Sequence, residues 1–248
     1  MTLLLIFLLY AILLSVGLGV AGFRSKPAVP RAEPAEPPDR ILVIGATGGT
    51  GRELVSQALA NGLQVTALVR NPARLGVEHP QLTVVRGDVL DAASVAAAMR
   101  GQQAVLCALG HKRFFYPTRI LSKGTRNLLR AMEDQGVRRL VCETSMGIGD
   151  AAGRMGLYYT LFTIPVILPW YFWDKTRQER LVANSGLDWV IVRPAVLTNA
   201  AGTGLYRHGP GLGSWLLTRR VARADVADFM LRQLNSNRYL GTAPAVSN

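Results

Sequence analysis

Residues 41–54 read ILVIGATGGTGREL, and no other stretch of this chain restricts its architecture so tightly. Four apolar residues, Ile41 to Ile44, have the length and composition of a strand buried on both faces, as in a parallel sheet. Gly45, Gly48 and Gly51 follow at GxxGxxG spacing, and Glu53 to Leu59 continue with a helical pattern. Glycine permits a tight turn and close approach of another group to the backbone. A helix beginning there offers unpaired N–H groups and the positive end of its dipole to a pyrophosphate. The same glycines would also serve an ordinary strand-to-helix turn, so the stretch gains meaning from its surroundings.

Those surroundings repeat the unit. QVTALV (64–69) reads as a second strand that ends at Arg70, nineteen residues beyond Gly51, with Arg74 close behind in NPARL. A cofactor with an unphosphorylated ribose meets an acidic side chain at this point, whereas arginine pairs with a 2′-phosphate, so NADP(H) is expected rather than NAD. Strand-like LTVVRGD, QAVLCALG, VRRLVCETS and LDWVIVRP then alternate with helical DAASVAAAMRG, TRILSKGTRNLLRAMEDQG and KTRQERLVANSG. The alternation predicts an α/β fold, a Rossmann doubly wound parallel sheet over residues 41–248, with ligands beyond the C-terminal strand ends. Asp88, closing the third strand, either reaches adenine or caps the next helix one turn early.

The first 23 residues, MTLLLIFLLYAILLSVGLGVAGF, are uninterruptedly apolar and lack the basic start of a secretory signal, so a transmembrane anchor is expected. Arg24, Lys26 and Arg31 follow and, by the positive-inside rule, hold the rest in the cytoplasm as a single-pass protein. Residues 24–40 carry a proline-rich run that reads as an extended linker outside the fold. The formal net charge of +12 suits an anionic membrane face or a phosphate-bearing ligand. No nucleic-acid recognition motif accompanies it, so no nucleic-acid partner is expected. Cys107 and Cys142 stand in apolar runs without metal-ligand spacing, which points to buried thiols and no metal.

A second uncharged stretch runs from 155 to 173. Spanning by it would tear the parallel sheet across a bilayer, and Pro165 and Pro169 divide it into two short helical pieces. Its position after the fifth strand and its tyrosines and tryptophans predict an interfacial lid over the site, with a lipophilic substrate; the alternative is an insert packed wholly on the protein. After Pro194 comes a small C-terminal part, 195–248: a glycine-rich mobile loop with Arg207 and His208, a short strand, and an amphipathic helix in ARADVADFMLRQLN with Val226, Phe229, Met230 and Leu234 facing inward.

Taken together, GATGGTG, VRNPARL, RGDVLD, ALG, KGTRNLLRAM, ETS, SGLDWVIVRP and ADVADFMLRQL resemble the atypical short-chain dehydrogenase/reductase superfamily. Within it the chain is similar to NmrA-like proteins and to biliverdin reductase B (flavin reductase). The resemblance covers residue 41 to the C-terminus and implies an NADPH-binding Rossmann domain. It places Gly45, Thr47, Gly48, Gly49, Thr50 and Gly51 on the cofactor from the glycine turn, and Arg70, Arg74, Asp88 and Val89 from the next two strand ends. Leu109, Gly110, Thr144, Ser145, Lys175 and Pro194 complete the expected lining.

In catalytic members a strand-end serine acts with a YxxxK pair, the tyrosine as general acid and the lysine holding the nicotinamide ribose. Here the resemblance implies Ser145, Tyr171 and Lys175, although in the flavin reductase relatives a histidine aligns with Lys175 and no YxxxK tyrosine is needed. Tyr171 could equally be an interfacial aromatic, and His111 reads as a solvent-facing loop residue. Three functions follow as expectations: a membrane-anchored reductase passing hydride to a carbonyl, flavin or quinone; a non-catalytic NADP(H) sensor or assembly factor; and a nucleotide-sugar type epimerase or dehydratase, for which the segment after Pro194 is small.

Overall fold

The structure is a computed structural model that describes residues 2–24 and 36–248. Most of the linker read at 24–40, with Lys26 and Arg31, lies outside the described residues. An N-terminal helix, α1 (Thr2–Ala21), precedes β1 (Arg40–Ile44), α2 (Gly49–Ala60), β2 (Gln64–Val69), β3 (Leu82–Arg86), α3 (Ala92–Met99), β4 (Ala104–Cys107) and α4 (Ile120–Asp134). Then come β5 (Arg139–Glu143), α5 (Pro169–Ala183), β6 (Asp188–Pro194), β7 (Val196–Thr198), β8 (Arg207–Gly209), β9 (Arg220–Ala222), α6 (Arg223–Arg232) and β10 (Ala245–Ser247).

The main sheet has the order β3-β2-β1-β4-β5-β6-β10-β8, parallel throughout except for β8, which pairs antiparallel to β10. The chain leaves β1 toward β2 and returns to its other side at β4, so the crevice between β1 and β4 is the switch point where such sheets bind ligands. β1, β4, β5 and β6 are buried along almost their whole length, which is why their sequences are continuous apolar runs without alternation. β3, at the edge, has no fully buried residue and leaves both Thr83 and Val84 exposed. Cys107 and Cys142 face each other in register across β4 and β5; both are buried free thiols.

Four local features differ from the sequence reading. The segment 155–173 forms a π-helix over Tyr159–Ile167, where Leu168 N–H bonds the Thr163 carbonyl, and Pro169 then takes the first position of α5. Its second piece and the helix read from Lys175 are therefore one element, because proline at a helix start sacrifices an N–H that has no partner there. α3 is capped by Asp91, whose carboxylate accepts from Ala93 and Ser94 N–H, while Asp88 accepts from Leu90 N–H in the preceding turn. A small parallel sheet of β7 and β9 goes unforeseen, since three residues a strand leave no periodicity to read.

The fourth difference concerns the first residues. α1 is, among the described residues, the one helix long and apolar enough to cross a membrane. It does not stand apart from the domain. Ala11 and Leu18 are buried against it, Tyr10 Oη donates to the Pro165 carbonyl at 3.2 Å, and the Phe23 ring meets Trp189 edge-on at 5.2 Å. A Cβ on Gly22 would lie 2.5 Å from Gly149 Cα, so glycine is what lets the two backbones touch.

Candidate cofactor site and active centre

The glycine turn is a closely fitted cradle. Gly45 has φ +83, and a Cβ there would collide with the Ala108 carbonyl at the end of β4. On Gly51 it would collide with the Gly45 carbonyl oxygen and sit 2.7 Å from its carbon. Gly48 N–H bonds the Gly45 carbonyl at 2.9 Å and precedes the start of α2, leaving Gly48 and Gly49 exposed at the helix N-terminus. A pyrophosphate fits this arrangement: exposed glycine backbone at the positive end of a helix, with the cationic Arg223 side chain packed against Gly49.

The other expected residues arrange themselves around that turn. Arg70 and Arg74 are exposed at the end of β2 and in the short helical turn Pro72–Arg74, and Arg52 Nη2 donates to the Arg74 carbonyl at 2.7 Å. Arg52 thus reaches the turn that carries Arg74, just after the strand end that carries Arg70. Asp88 is half-buried and Val89 buried, with Val89 packed where a Cβ on Gly124 would meet it at 2.8 Å. Thr47 is half-buried beside the turn. Thr50 is turned inward, its hydroxyl donating to buried Glu143 at 3.0 Å.

Beyond the ends of β4 and β5 the polar groups are mostly buried and paired. Lys175 is almost fully buried and donates to the Leu109 and Glu143 carbonyls, each at 3.0 Å, so it ties the two strand ends together. Burial works against its charge, but the Tyr171 hydroxyl, the two thiols and Glu143 outweigh it and hold the ammonium above the ordinary lysine range. Burial also pushes the Glu143 carboxyl up, with Lys175, Thr50 and Arg223 pulling the other way. Thr144 donates to Glu179 at 2.7 Å; Ser145 is half-buried next to it, and the buried Pro194 accepts from Met146 N–H.

Helix α5 presents its chemistry because its neighbours fix it. Asp174 accepts from Leu121 N–H at 2.9 Å and from the Ser122 N–H and hydroxyl, so it caps α4, which has no cap of its own. With Asp174 and Lys175 both anchored, Tyr171 one turn earlier is held over the β4 end; a Cβ on Gly110 would lie 3.5 Å from its hydroxyl. Its ring packs edge-on against His111 at 5.1 Å and Phe114 at 5.7 Å.

His111 is not the solvent-facing residue that its loop position implies. Its Nδ1 accepts from Arg113 N–H at 3.1 Å, which leaves the proton on Nε2, 3.0 Å from the Thr118 hydroxyl. Burial, with Lys175 and Arg113, holds its pKa below the ordinary 6.5, against a smaller opposing effect of Asp174. A depressed histidine pKa contributes stability that is present above the unfolded value and is lost as pH falls through the folded one. We therefore expect the ring to titrate with a midpoint below 6.5 and to be the Nε2–H tautomer at pH 7, both readable from ring nitrogen NMR shifts; a midpoint above 6.5 would contradict the packing.

Two residues in this region carry no signal in the sequence reading. Glu143 is hidden inside an apolar strand, and Arg223 opens α6, where its side chain occupies the space that a Cβ on Gly49 would take. Both depend on contacts between distant segments. Arg207 and His208 lie at the far edge, on β8, where His208 Nδ1 is 2.9 Å from the Tyr239 hydroxyl and its ring packs on Phe229.

The sequence profile described as NAD(P)H-binding matches residues 45–237, spanning the glycine turn, the strand ends and α6. The chain belongs to this NAD(P)H-binding family, among the atypical short-chain dehydrogenase/reductases. An uncharacterized chloroplastic protein of Arabidopsis thaliana is 34% identical over 188 residues, covering 70% of this chain and 64% of that one. A 3-diazoavenalumate denitrifying reductase of Streptomyces sp is 34% identical over 189 residues, covering 68% and 60%. The chain thus spans less than two thirds of these relatives' length. Among solved structures, ChuY, an anaerobillin reductase from Escherichia coli O157:H7, superposes with a TM-score of 0.69 at 25% identity over 84% of this chain and 96% of that one. A short-chain dehydrogenase/reductase from Veillonella parvula in complex with NADP gives 0.70 at 17% identity over 85% and 95%, a likeness of fold. Membership makes a nicotinamide dinucleotide the ligand of this domain.

Proposed function

We propose that the chain is a membrane-anchored, NADPH-dependent reductase that passes hydride to a carbonyl, flavin or quinone-type acceptor. The observation that carries this reading is the pairing on α5: Lys175 bound beneath the ends of β4 and β5, and Tyr171 one turn away with its hydroxyl over Gly110. Resemblance to named reductases supports it. When bound, the nicotinamide supplies the hydride.

The chain's own residues take the remaining tasks. Gly45, Thr47, Gly48, Gly49 and Gly51 receive the pyrophosphate, with the Arg223 guanidinium beside Gly49 as its counter-charge. Arg70 and Arg74, with Arg52, bind the 2′-phosphate and set the preference for NADP(H). Asp88 and Val89 border adenine; Leu109, Gly110, Thr144, Ser145 and Pro194 border the nicotinamide end. Thr50 acts indirectly, by satisfying Glu143. Tyr171 donates a proton to the reduced acceptor, and the neutral His111 ring holds its phenol in place.

Two measurements test these roles. Replacing Arg70 and Arg74 together by alanine is expected to weaken NADPH binding by ~10- to 100-fold, the worth of one or two charge-assisted hydrogen bonds, and to leave NADH binding unchanged. An equal loss for both cofactors would remove the arginines from the 2′-phosphate. Tyr171→Phe is expected to lower kcat in NADPH oxidation against quinones, flavins and aldehydes by about 100-fold with an unchanged NADPH Kd.

A second reading, a non-catalytic NADP(H) sensor or assembly factor, is favoured by one observation: two of the three Lys175 donors end on backbone carbonyls. No acceptor turned over by the wild-type protein would select it, whereas wild-type rates in Tyr171→Phe would take the proton-donor role from Tyr171. We also propose that α1 is a single-pass anchor with the domain on the cytoplasmic side, supported by its length and by Arg24 three residues beyond its C-terminal end. A lipophilic acceptor suits that location.

A further inference from the structure

Most of the exposed large apolar side chains among the described residues lie on three elements, the second of which touches both the first and the third. The outer face of α1 exposes Leu5, Leu9, Ile12, Leu13, Val16 and Val20, while its inner face is packed on the domain. The π-helix, bound to α1 through Tyr10 and the Pro165 carbonyl, exposes Phe162 and Val166, and the row continues with Tyr158 just before it and Trp170 at the start of α5. These are spaced four apart, and the wide turn of a π-helix keeps such positions near one face; the rings of Tyr158 and Phe162 stack at 5.6 Å.

The third element is the tip Trp215-Leu216-Leu217, about two-thirds exposed at each residue. Such residues on a loose loop would fold back onto the protein, but this tip is fixed. Ser214 Oγ accepts from the Leu216 and Leu217 N–H groups, Gly156 N–H bonds the Ser214 carbonyl at 2.8 Å, and Leu157 N–H bonds the Leu216 carbonyl at 3.3 Å. The Trp215 ring rests on Gly153, leaving no room there for a Cβ. Backbone bonds therefore hold the tip beside the start of the π-helix with its side chains outward.

From this geometry we infer that the π-helix row Tyr158–Phe162–Val166–Trp170 and the tip 215–217 are immersed in the same lipid bilayer as α1, so that the domain itself is embedded on this side. The occupant is lipid for two reasons. The surface is continuous with a helix of membrane-spanning length, and its border is cationic: Arg24 lies three residues beyond α1, Arg154 precedes the π-helix, and Arg219 and Arg220 follow the tip, as anionic headgroups require. No charged residue interrupts 155–173 or 209–218. Trp170, in the row, directly precedes Tyr171 on α5.

The inference extends the proposed anchoring by α1, and the test separates the two. Full-length protein is placed in phosphatidylcholine–phosphatidylglycerol nanodiscs carrying nitroxide-labelled lipid, with an environment-sensitive fluorophore on Leu13→Cys, Phe162→Cys, Leu216→Cys or Arg100→Cys. The native Cys107 and Cys142 are fully buried and do not compete for label. Quenching at positions 13, 162 and 216, each at least about threefold above position 100 at the opposite end of the sheet, is the expected result. Quenching at 13 alone would overturn the embedding and leave the anchor standing; quenching nowhere above position 100 would overturn both. A blue-shifted but unquenched label at 162 or 216 would assign the surface to a protein partner and likewise overturn it.

Discussion

Gly51→Val is expected to lower NADPH affinity by at least ~100-fold, about 2.7 kcal/mol, in a protein that keeps its far-UV circular dichroism. The first atom of the new side chain already collides with the Gly45 carbonyl, which belongs to the same turn, so relief requires the start of α2 to move away from the end of β1. That movement takes with it the exposed backbone at Gly49 and the first turn of α2, the groups a pyrophosphate needs. Leu54, Val55 and Ala58 still anchor the rest of α2 in the core, so the damage stays near the turn. Thermal unfolding separates a broken cradle from a broken fold: an intact transition with unchanged NADPH binding would show that the glycines serve only the turn.

Arg193→Ala is expected to be the most destabilising single change outside the apolar core. The guanidinium is almost fully buried at the end of β6, where it bonds both oxygens of the fully buried Glu179, at 2.9 and 2.8 Å, together with Asp150 and the Phe23 carbonyl at 2.8 Å. Burial opposes its charge, and Glu179 and Asp150 overcome that, holding the arginine far above its usual range. Removing one partner of a buried pair strands the other and costs about 3–5 kcal/mol. For a domain of this size that lowers Tm by roughly 10 °C. The double change Arg193→Met with Glu179→Met should recover much of the loss, because it leaves no unpaired charge in the core. Equal destabilisation in single and double variants would mean that Glu179 is not the group left stranded. Since Arg193 also holds the Phe23 carbonyl, the single variant is further expected to be cut by trypsin at Arg24 more readily than wild type.

These two sites also mark what could be read from the sequence. Gly51 belongs to a local pattern: its spacing from Gly45 and its place between an apolar run and a helix need no distant partner to be recognised. The parallel strands are legible for the same reason, since burial on both faces writes a continuous apolar run into β1, β4, β5 and β6. Arg193, by contrast, sits in such a run, and nothing nearby announces that its partners are on α5, in the Gly149 turn and at the end of α1. α5 was only half legible because its inward face is polar: Asp174, Lys175, Gln178 and Glu179 are all buried, each bonded to a group far away in sequence. An apolar stripe marks a helix, whereas a satisfied polar face resembles a solvated one. Tyr171 and Lys175 stand where the family resemblance implies a YxxxK pair, but the fact that Lys175 joins two strand ends, and that His111 braces Tyr171, belongs to the tertiary structure.

A titration of the full-length protein in detergent with NADPH, and separately with NADH, followed by the fluorescence of the reduced nicotinamide, reaches the central claim most directly. Saturable enhancement with NADPH bound at least about tenfold tighter than NADH is expected from a glycine cradle flanked by Arg52, Arg70 and Arg74. The absence of any saturable change with either dinucleotide would contradict it.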